Sequence, residues 1–300
     1  LKILLASTSR LAIPTLELLE KNNHQILGIL TKPEKPSGRG MESKAQELVS
    51  ELKGSYQTFT VSNQEEMANT LQLLKPDLVV AISFGMLVKR ESLALPKNGW
   101  INLHFSLLPK FRGAAPVQRA ILAGENATGV TVFALDEGMD TGPIYSTRQL
   151  SISGLNCGAA LQVMARIGSE AVLDSIELIS KGFKPIPQIG EPTLAKKIST
   201  EELRISFDCK VDQIERQIRA FAPKPGAWAR FRGNRIKFLV AEVKPRATGR
   251  SGEVITTSPL LVAGKDGALI IHSIQEAGKR IMTSEEWVRG VRLQAGERFE

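Results

Sequence analysis

Residues 100–143 read WINLHFSLLPKFRGAAPVQRAILAGENATGVTVFALDEGMDTGP, and the way this stretch folds decides how the rest is arranged. Ile101-Asn102-Leu103-His104-Phe105 alternates, which puts Asn102 and His104 on one face of a strand and the apolar side chains on the other. The alternation stops at Ser106-Leu107-Leu108-Pro109, because proline cannot donate to a ladder. A second apolar run, residues 130–135, leads into Asp136-Glu137-Gly138-Met139-Asp140. Two strands thus carry an amide, an imidazole and a carboxylate towards one place, a grouping suited to acyl chemistry.

On the N-terminal side, apolar runs at 2–6, 26–30, 58–61 and 78–83 alternate with helical patterns at 11–20, 43–52 and 64–74, and with a short one at 88–93. Strands separated by helices at this spacing predict an α/β domain with a doubly wound, mostly parallel, Rossmann-like sheet. Ligands of such sheets bind at the carboxyl ends of strands. Residues 84–87, 106–109 and 136–140 all follow strands and are expected on that edge. No G-x-G-x-x-G follows the first strand, which argues against nicotinamide dinucleotides.

A helical pattern at 160–178 closes this domain, and Lys181-Gly182-Phe183-Lys184-Pro185-Ile186-Pro187-Gln188 reads as an extended linker. Beyond it lie a helix at 211–220 and short strand candidates at 227–231, 236–243, 253–256, 260–263 and 268–273, punctuated by glycines. That spacing predicts a small β-barrel of the oligonucleotide-binding (OB) type. The expected division is 1–182 catalytic, 183–205 linker and 206–300 barrel.

Charge separates the two halves. Residues 206–300 hold 17 Lys/Arg against 11 Asp/Glu, and the remainder 22 against 20, for a net +8 overall. A basic excess in one segment suits a polyanionic partner. The two cysteines, Cys157 and Cys209, show neither metal-ligand spacing nor the density of a secreted scaffold, which fits a reducing cytoplasm. Three scattered histidines offer no metal site. No apolar run approaches the roughly 18 residues of a membrane span, and the opening residues 1–6 are shorter than a signal peptide.

An asparagine and a histidine in a strand buried on both faces are costly unless paired or used. Amine attack on a formyl or other acyl carbon builds an oxyanion, which N–H donors from Asn102 and His104 can stabilise, each worth about 10²–10³ in rate. Asp140 can orient the imidazole or relay the amine's proton. An α-amino group titrates near about 7.7–8.0, so it can attack without a protein nucleophile. Ser106 invites a Ser-His-Asp hydrolase reading, but no G-x-S-x-G elbow surrounds it.

Asn102-Leu103-His104-Phe105-Ser106-Leu107-Leu108-Pro109, with Arg112-Gly113-Ala114-Ala115-Pro116 and Asp136-Glu137-Gly138-Met139-Asp140-Thr141-Gly142, resembles the folate-dependent formyltransferases. Lys32-Pro33-Glu34-Lys35-Pro36-Ser37-Gly38-Arg39-Gly40 and Ile218-Arg219-Ala220-Phe221-Ala222-Pro223-Lys224-Pro225-Gly226-Ala227-Trp228 are similar to members acting on charged initiator tRNA. The resemblance runs nearly end to end. It implies formyl transfer from 10-formyltetrahydrofolate to the amino group of methionyl initiator tRNA, with Asn102, His104 and Asp140 catalytic, Ser106 supporting and no metal. It places the folate along Phe84, Gly85, Met86, Leu87 and Val88, along Leu107, Leu108 and Pro109, and along Leu135, Asp136 and Gly138. It gives tRNA contacts to Arg39, Lys44, Arg112, Lys224, Arg232 and Arg235, in a cytoplasmic monomer without membrane attachment. Two departures stand out: the chain passes from Gly40 through Met41-Glu42-Ser43-Lys44 almost directly into helix, and Phe105 replaces a usually small residue. Formylation of an amino-sugar nucleotide or glycinamide ribonucleotide, folate hydrolysis, and RNA binding without catalysis are the alternatives. The basic C-terminal segment speaks against small acceptors, and the intact trio against a purely binding role.

Overall fold

The computed structural model describes residues 1–33 and 47–300. It forms two compact units, one of Leu1–Pro116, Ala127–Ser151 and Leu161–Ala195, the other of Val117–Asn126, Ile152–Ala160 and Lys196–Glu300.

The first unit alternates β1 (Lys2–Ser7), α1 (Ile13–Lys21), β2 (Gln25–Thr31), α2 (Glu47–Leu52), β3 (Thr58–Thr60), α3 (Gln64–Leu74), β4 (Leu78–Ile82), α4 (Arg90–Leu93) and β5 (Trp100–His104). After these come β6 (Arg112–Gly113), α5 (Pro116–Ala123), β7 (Ala127–Ala134), β8 (Ile144–Ser151), α6 (Cys157–Ser180) and β9 (Leu194–Ala195). Seven strands make one sheet in the order β3-β2-β1-β4-β5-β7-β8. Residues 3–6 of β1 and all of β4 are buried, as continuous apolar strands covered on both faces must be. The apolar cap on the sheet includes Leu4, Leu30, Val79, Met67, Leu71 and Trp100. Asn63 caps α3 by accepting the Glu66 N–H at 2.9 Å, and the Glu66 carboxylate accepts the Ser62 N–H at 2.7 Å.

The mixed α/β sheet matches the expectation, with one consequential difference. β3, β2, β1, β4 and β5 are parallel, whereas β7 runs antiparallel to β5 and β8 antiparallel to β7. An apolar run does not disclose its direction. Because β7 is reversed, Leu135 leaves the sheet beside the start of β5, its N–H donating to the Trp100 carbonyl at 3.0 Å. The three loops expected on one edge therefore leave from two, and residues 135–143 must double back to reach His104. A Cβ on Gly142 would collide with the Ala134 carbonyl, so only glycine permits that close return.

The second unit contains most of α5, the start of α6, then α7 (Val211–Phe221), β10 (Ala227–Phe231), β11 (Asn234–Pro245), β12 (Val254–Thr257), β13 (Leu260–Ala263), β14 (Gly267–Glu276), β15 (Met282–Thr283) and α8 (Ser284–Val291). Its six strands pair antiparallel in the order β10-β11-β14-β13-β12, with β15 on β14. Among the described residues no ladder joins β12 to β10. The core is aromatic: rings of Phe207, Phe231, Phe238, Trp287 and Phe299 meet at 5.1 to 6.1 Å between centroids. No helix among the described residues is long and apolar enough to cross a membrane.

Candidate active site

β5 presents Asn102 and His104 on one face, with Phe133 and Thr131 of β7 directly opposite them. Leu103 points the other way, towards α6, where a Cβ on Gly168 would come within 2.7 Å of its Cδ2. Helix and strand thus touch closely behind the site, which steadies the strand.

His104 is buried, and its Nε2 lies 2.9 Å from the Phe111 carbonyl oxygen. A carbonyl only accepts, so Nε2 carries the hydrogen. Nδ1 faces Asp140 Oδ2 at 3.6 Å. The Phe133 ring stands edge-on to the imidazole at 6.5 Å. Asp140 sits in the left-handed region at φ 56°, and its Oδ2 accepts the Gly113 N–H at 2.7 Å. Asn102 is half-buried, and its side-chain amide has no hydrogen-bond partner among the described residues. The expectation that His104 offers a ready N–H to an oxyanion does not fit this geometry. That hydrogen is committed to Phe111, and Nδ1 is an acceptor until it gains a proton.

Ser106 is fully buried and serves the turn that follows. Its hydroxyl donates to the Lys110 carbonyl at 2.6 Å. Its own carbonyl accepts the Thr131 hydroxyl at 2.7 Å, and the same Thr131 oxygen accepts the Leu108 N–H at 3.1 Å. A hydroxyl bound to the backbone in this way is no partner for His104, so the hydrolase alternative lacks its nucleophile.

The residues expected to meet folate fall into two groups. Phe84 and Val88 are buried in the cluster with Trp100, and Met86 and Leu135 pack against it. Leu87 and Met139 project from the neighbouring loops, 69% and 53% exposed. The Gly85 carbonyl accepts from Lys32 Nζ at 2.9 Å and the Leu87 carbonyl from Gln64 Nε2 at 2.7 Å, which anchors residues 84–88. Asp136 folds its own loop, accepting the Gly138 N–H at 3.0 Å and the Thr141 hydroxyl at 2.7 Å. Arg90, at the start of α4, meets Glu137 of that loop at 3.6 Å. Leu107, Leu108 and Pro109 do not join this cluster. Leu107 lies over Gly129, where a Cβ would come within 2.6 Å of its Cδ2, while Leu108 and Pro109 are buried.

The residues expected to meet tRNA are also divided. Arg39 and Lys44 lie outside the described residues. Arg112 is half-buried, its Nε and Nη2 donating to Gln188 Oε1 at 3.2 and 2.6 Å, so it is turned inward rather than towards a phosphate. Arg232 is likewise committed, to the Glu297 carboxylate at 2.6 to 2.9 Å and to the Val291 carbonyl at 3.0 Å. Lys224 and Arg235 are exposed, with the Arg235 guanidinium 3.9 Å above the Trp228 ring. A cleft of about 490 Å³ lined by Arg204, Phe207, Asp208 and Arg298 belongs to the second unit, not to the one holding the trio. Among the described residues no three His, Cys, Asp or Glu side chains gather closely enough to hold a metal.

Sequence reasoning missed Phe111, Gly113 and Thr131, which bond the trio or its turn through backbone groups or a buried hydroxyl. It also missed Gln188, in a proline-rich stretch whose pattern carries no signal for it.

Residues 2–167 match the formyl transferase family and residues 197–292 the formyl transferase C-terminal domain. The methionyl-tRNA formyltransferase of Salinispora tropica is 36% identical over 306 residues, covering 99% of each chain. Among solved structures, HypX from Aquifex aeolicus in complex with tetrahydrofolic acid superimposes with a TM-score of 0.72 at 20% identity. That match covers 99% of this chain, which spans only 48% of HypX. Methionyl-tRNA formyltransferase from Clostridium thermocellum gives 0.58 at 22% identity, over 81% of this chain and 94% of that one. Those two likenesses speak for the fold. Full-length identity to the Salinispora enzyme, and two matched domains in the same order, place the chain in the formyl transferase family, with the methionyl-tRNA formyltransferases.

Proposed function

We propose that this enzyme transfers the formyl group of 10-formyltetrahydrofolate to the α-amino group of methionyl initiator tRNA, giving N-formylmethionyl-tRNA for translation initiation. The observation that carries the reading is the trio itself: His104 Nδ1 and Asp140 Oδ2 face each other at 3.6 Å, beside the Asn102 amide, which has no hydrogen-bond partner among the described residues. With Nε2 turned to the Phe111 carbonyl, a neutral His104 presents Nδ1 as an acceptor, and Nδ1 with the carboxylate suits a hydrogen delivered from outside, such as that of an attacking amine.

The amine lone pair forms the new C–N bond, and the carbonyl π pair moves onto oxygen. Asn102 donates to that oxygen. Nδ1 takes the proton from nitrogen, and the imidazolium is held between the Phe111 carbonyl and the Asp140 carboxylate. As the oxyanion collapses, the bond to the donor's nitrogen breaks, and His104 gives that nitrogen the proton. The ring ends as it began.

The apolar cluster of Phe84, Met86, Val88 and Leu135, with Leu87 exposed at its rim, suits one face of a flat pterin. Asp136 and Gly138 contribute loop backbone. We assign transfer to residues 1–182, with 183–205 leading to tRNA binding by 206–300, whose antiparallel sheet we read as an OB-type barrel. Lys224 and Arg235, with Arg39 and Lys44, are the proposed phosphate contacts. We expect a cytoplasmic monomer.

Asn102→Ala, His104→Ala and Asp140→Asn should each lower kcat by about a hundredfold or more. The assay uses labelled formyl donor with charged initiator methionyl-tRNA, and free methionine and uncharged tRNA as controls. Native rates in all three variants would remove the mechanism.

A further inference from the structure

The segment after α6 does more than connect. Ile186 exchanges both backbone hydrogen bonds with Ile144, at 2.7 and 2.8 Å. The Thr193 hydroxyl accepts the N–H of Phe111, the residue whose carbonyl holds His104, at 2.8 Å. Leu194 and Ala195 then pair with Arg112 and Gly113 as β9 on β6. Gln188 lies midway along this strap. Its Nε2 donates to the carbonyls of Asp140 and Gly142 at 2.9 and 2.8 Å, and its Oε1 accepts twice from Arg112. Both donors and both lone pairs of the amide are used.

These bonds close a ring around the acid. Arg112 holds Gln188, and Gln188 holds the peptide from which the Asp140 side chain hangs. The Asp140 carboxylate accepts the N–H of Gly113, which is the residue after Arg112. Asp140 stands at φ 56°, in the left-handed region that aspartate tolerates better than most residues but at some cost, and the bonds to its own peptide help to offset that cost. The two carbonyls that Gln188 captures flank Thr141 in sequence, so the turn is tied at two points.

We propose that Gln188, oriented by Arg112, is a positioning residue that sets the Asp140 carboxylate against His104 Nδ1. The proposal rests on the reading of Asp140 as the carboxylate that holds the His104 imidazolium during transfer. Gln188 touches no reacting atom. Its contribution is geometric, and a displacement of about 1 Å at a reacting group can cost up to about a hundredfold in rate.

The test compares Gln188→Ala and Gln188→Glu in the full chain, alone and combined with Asp140→Asn. Glutamate keeps the shape and the acceptors for Arg112 but sets carboxylate oxygens against the two carbonyls. Both single variants should lose about tenfold or more in kcat. KM for donor and acceptor should stay within about threefold, and Tm within about 4 °C of native. With Asp140→Asn already present, Gln188→Ala should slow the enzyme no further, because no carboxylate remains to be positioned. Native kcat in Gln188→Glu, or a full additional loss on the Asp140→Asn background, would overturn the inference. A fully active Asp140→Asn single variant would instead overturn the catalytic reading beneath it, so the two failures are distinguishable.

Discussion

Thr131→Val exchanges one side chain for another of nearly the same shape and removes only a hydroxyl. That hydroxyl is fully buried on β7, opposite His104. It donates to the Ser106 carbonyl at 2.7 Å and accepts the Leu108 N–H at 3.1 Å. In the valine variant both backbone groups lose their partner without access to water. Each orphaned group costs about 1–3 kcal/mol, so the sum is about 2–5 kcal/mol once the removed hydroxyl's own desolvation is credited. For a unit of this size each kcal/mol moves Tm by about 2–4 °C, and a fall of roughly 4–20 °C is expected by calorimetry. The turn so loosened leads to Phe111, whose carbonyl orients His104, so kcat should drop by about tenfold as well. Thr131→Ser keeps the hydroxyl and loses only a methyl, and should stay near native rate. A valine variant with native Tm and native kcat would refute the claim that this hydroxyl organises the turn.

Other outcomes follow from charge and burial. Burial pushes the Cys157 thiol up to about 12, whereas Cys209 is exposed, so a maleimide should label one site in the native protein and two after denaturation, read by mass spectrometry. The hydrogen bond from Arg119 holds the Glu202 carboxyl below its usual range. Its stabilising effect is therefore present above the ordinary value of 4.5 and is lost as pH falls through the lowered one, and Glu202→Gln should flatten the acid arm of a Tm–pH curve. Arg235→Ala should weaken tRNA binding and reduce the log–log salt slope by about 0.7–0.9. Arg232→Ala should leave that slope unchanged and lower stability, because its guanidinium is bound to Glu297.

Much of the fold was legible because apolar period and caps speak locally. The helix at 64–74 and the strands at 227–231 and 260–263 coincide with the expected ranges. β8 was not legible: residues 144–151 are half-buried or exposed, as suits a polar edge strand, and carry too few apolar side chains to register. α8 could have been found, since Thr283 and Glu286 form a capping box that the sequence spells out. Asn102 and His104 were visible as unusual residue types on a strand, and Asp140 as an acid in the glycine-containing loop after the next apolar run. Their supports were not, because Phe111 and Gly113 act through backbone atoms that every residue possesses. Strand direction was invisible for a similar reason, and with it the route by which Asp140 arrives.

The second unit draws on three separated stretches of the polypeptide. Arg119, from the middle of the sequence, meets Glu202, and the Ile152 and Leu155 carbonyls accept from Arg219 at 3.4 and 3.1 Å. A fragment begun at residue 196 would keep Glu202 and Arg219 but lose the groups they grip. Truncation is thus a poor way to separate RNA affinity from turnover here, since the excised piece would arrive with severed internal ties. Point substitutions in an intact polypeptide avoid that confusion.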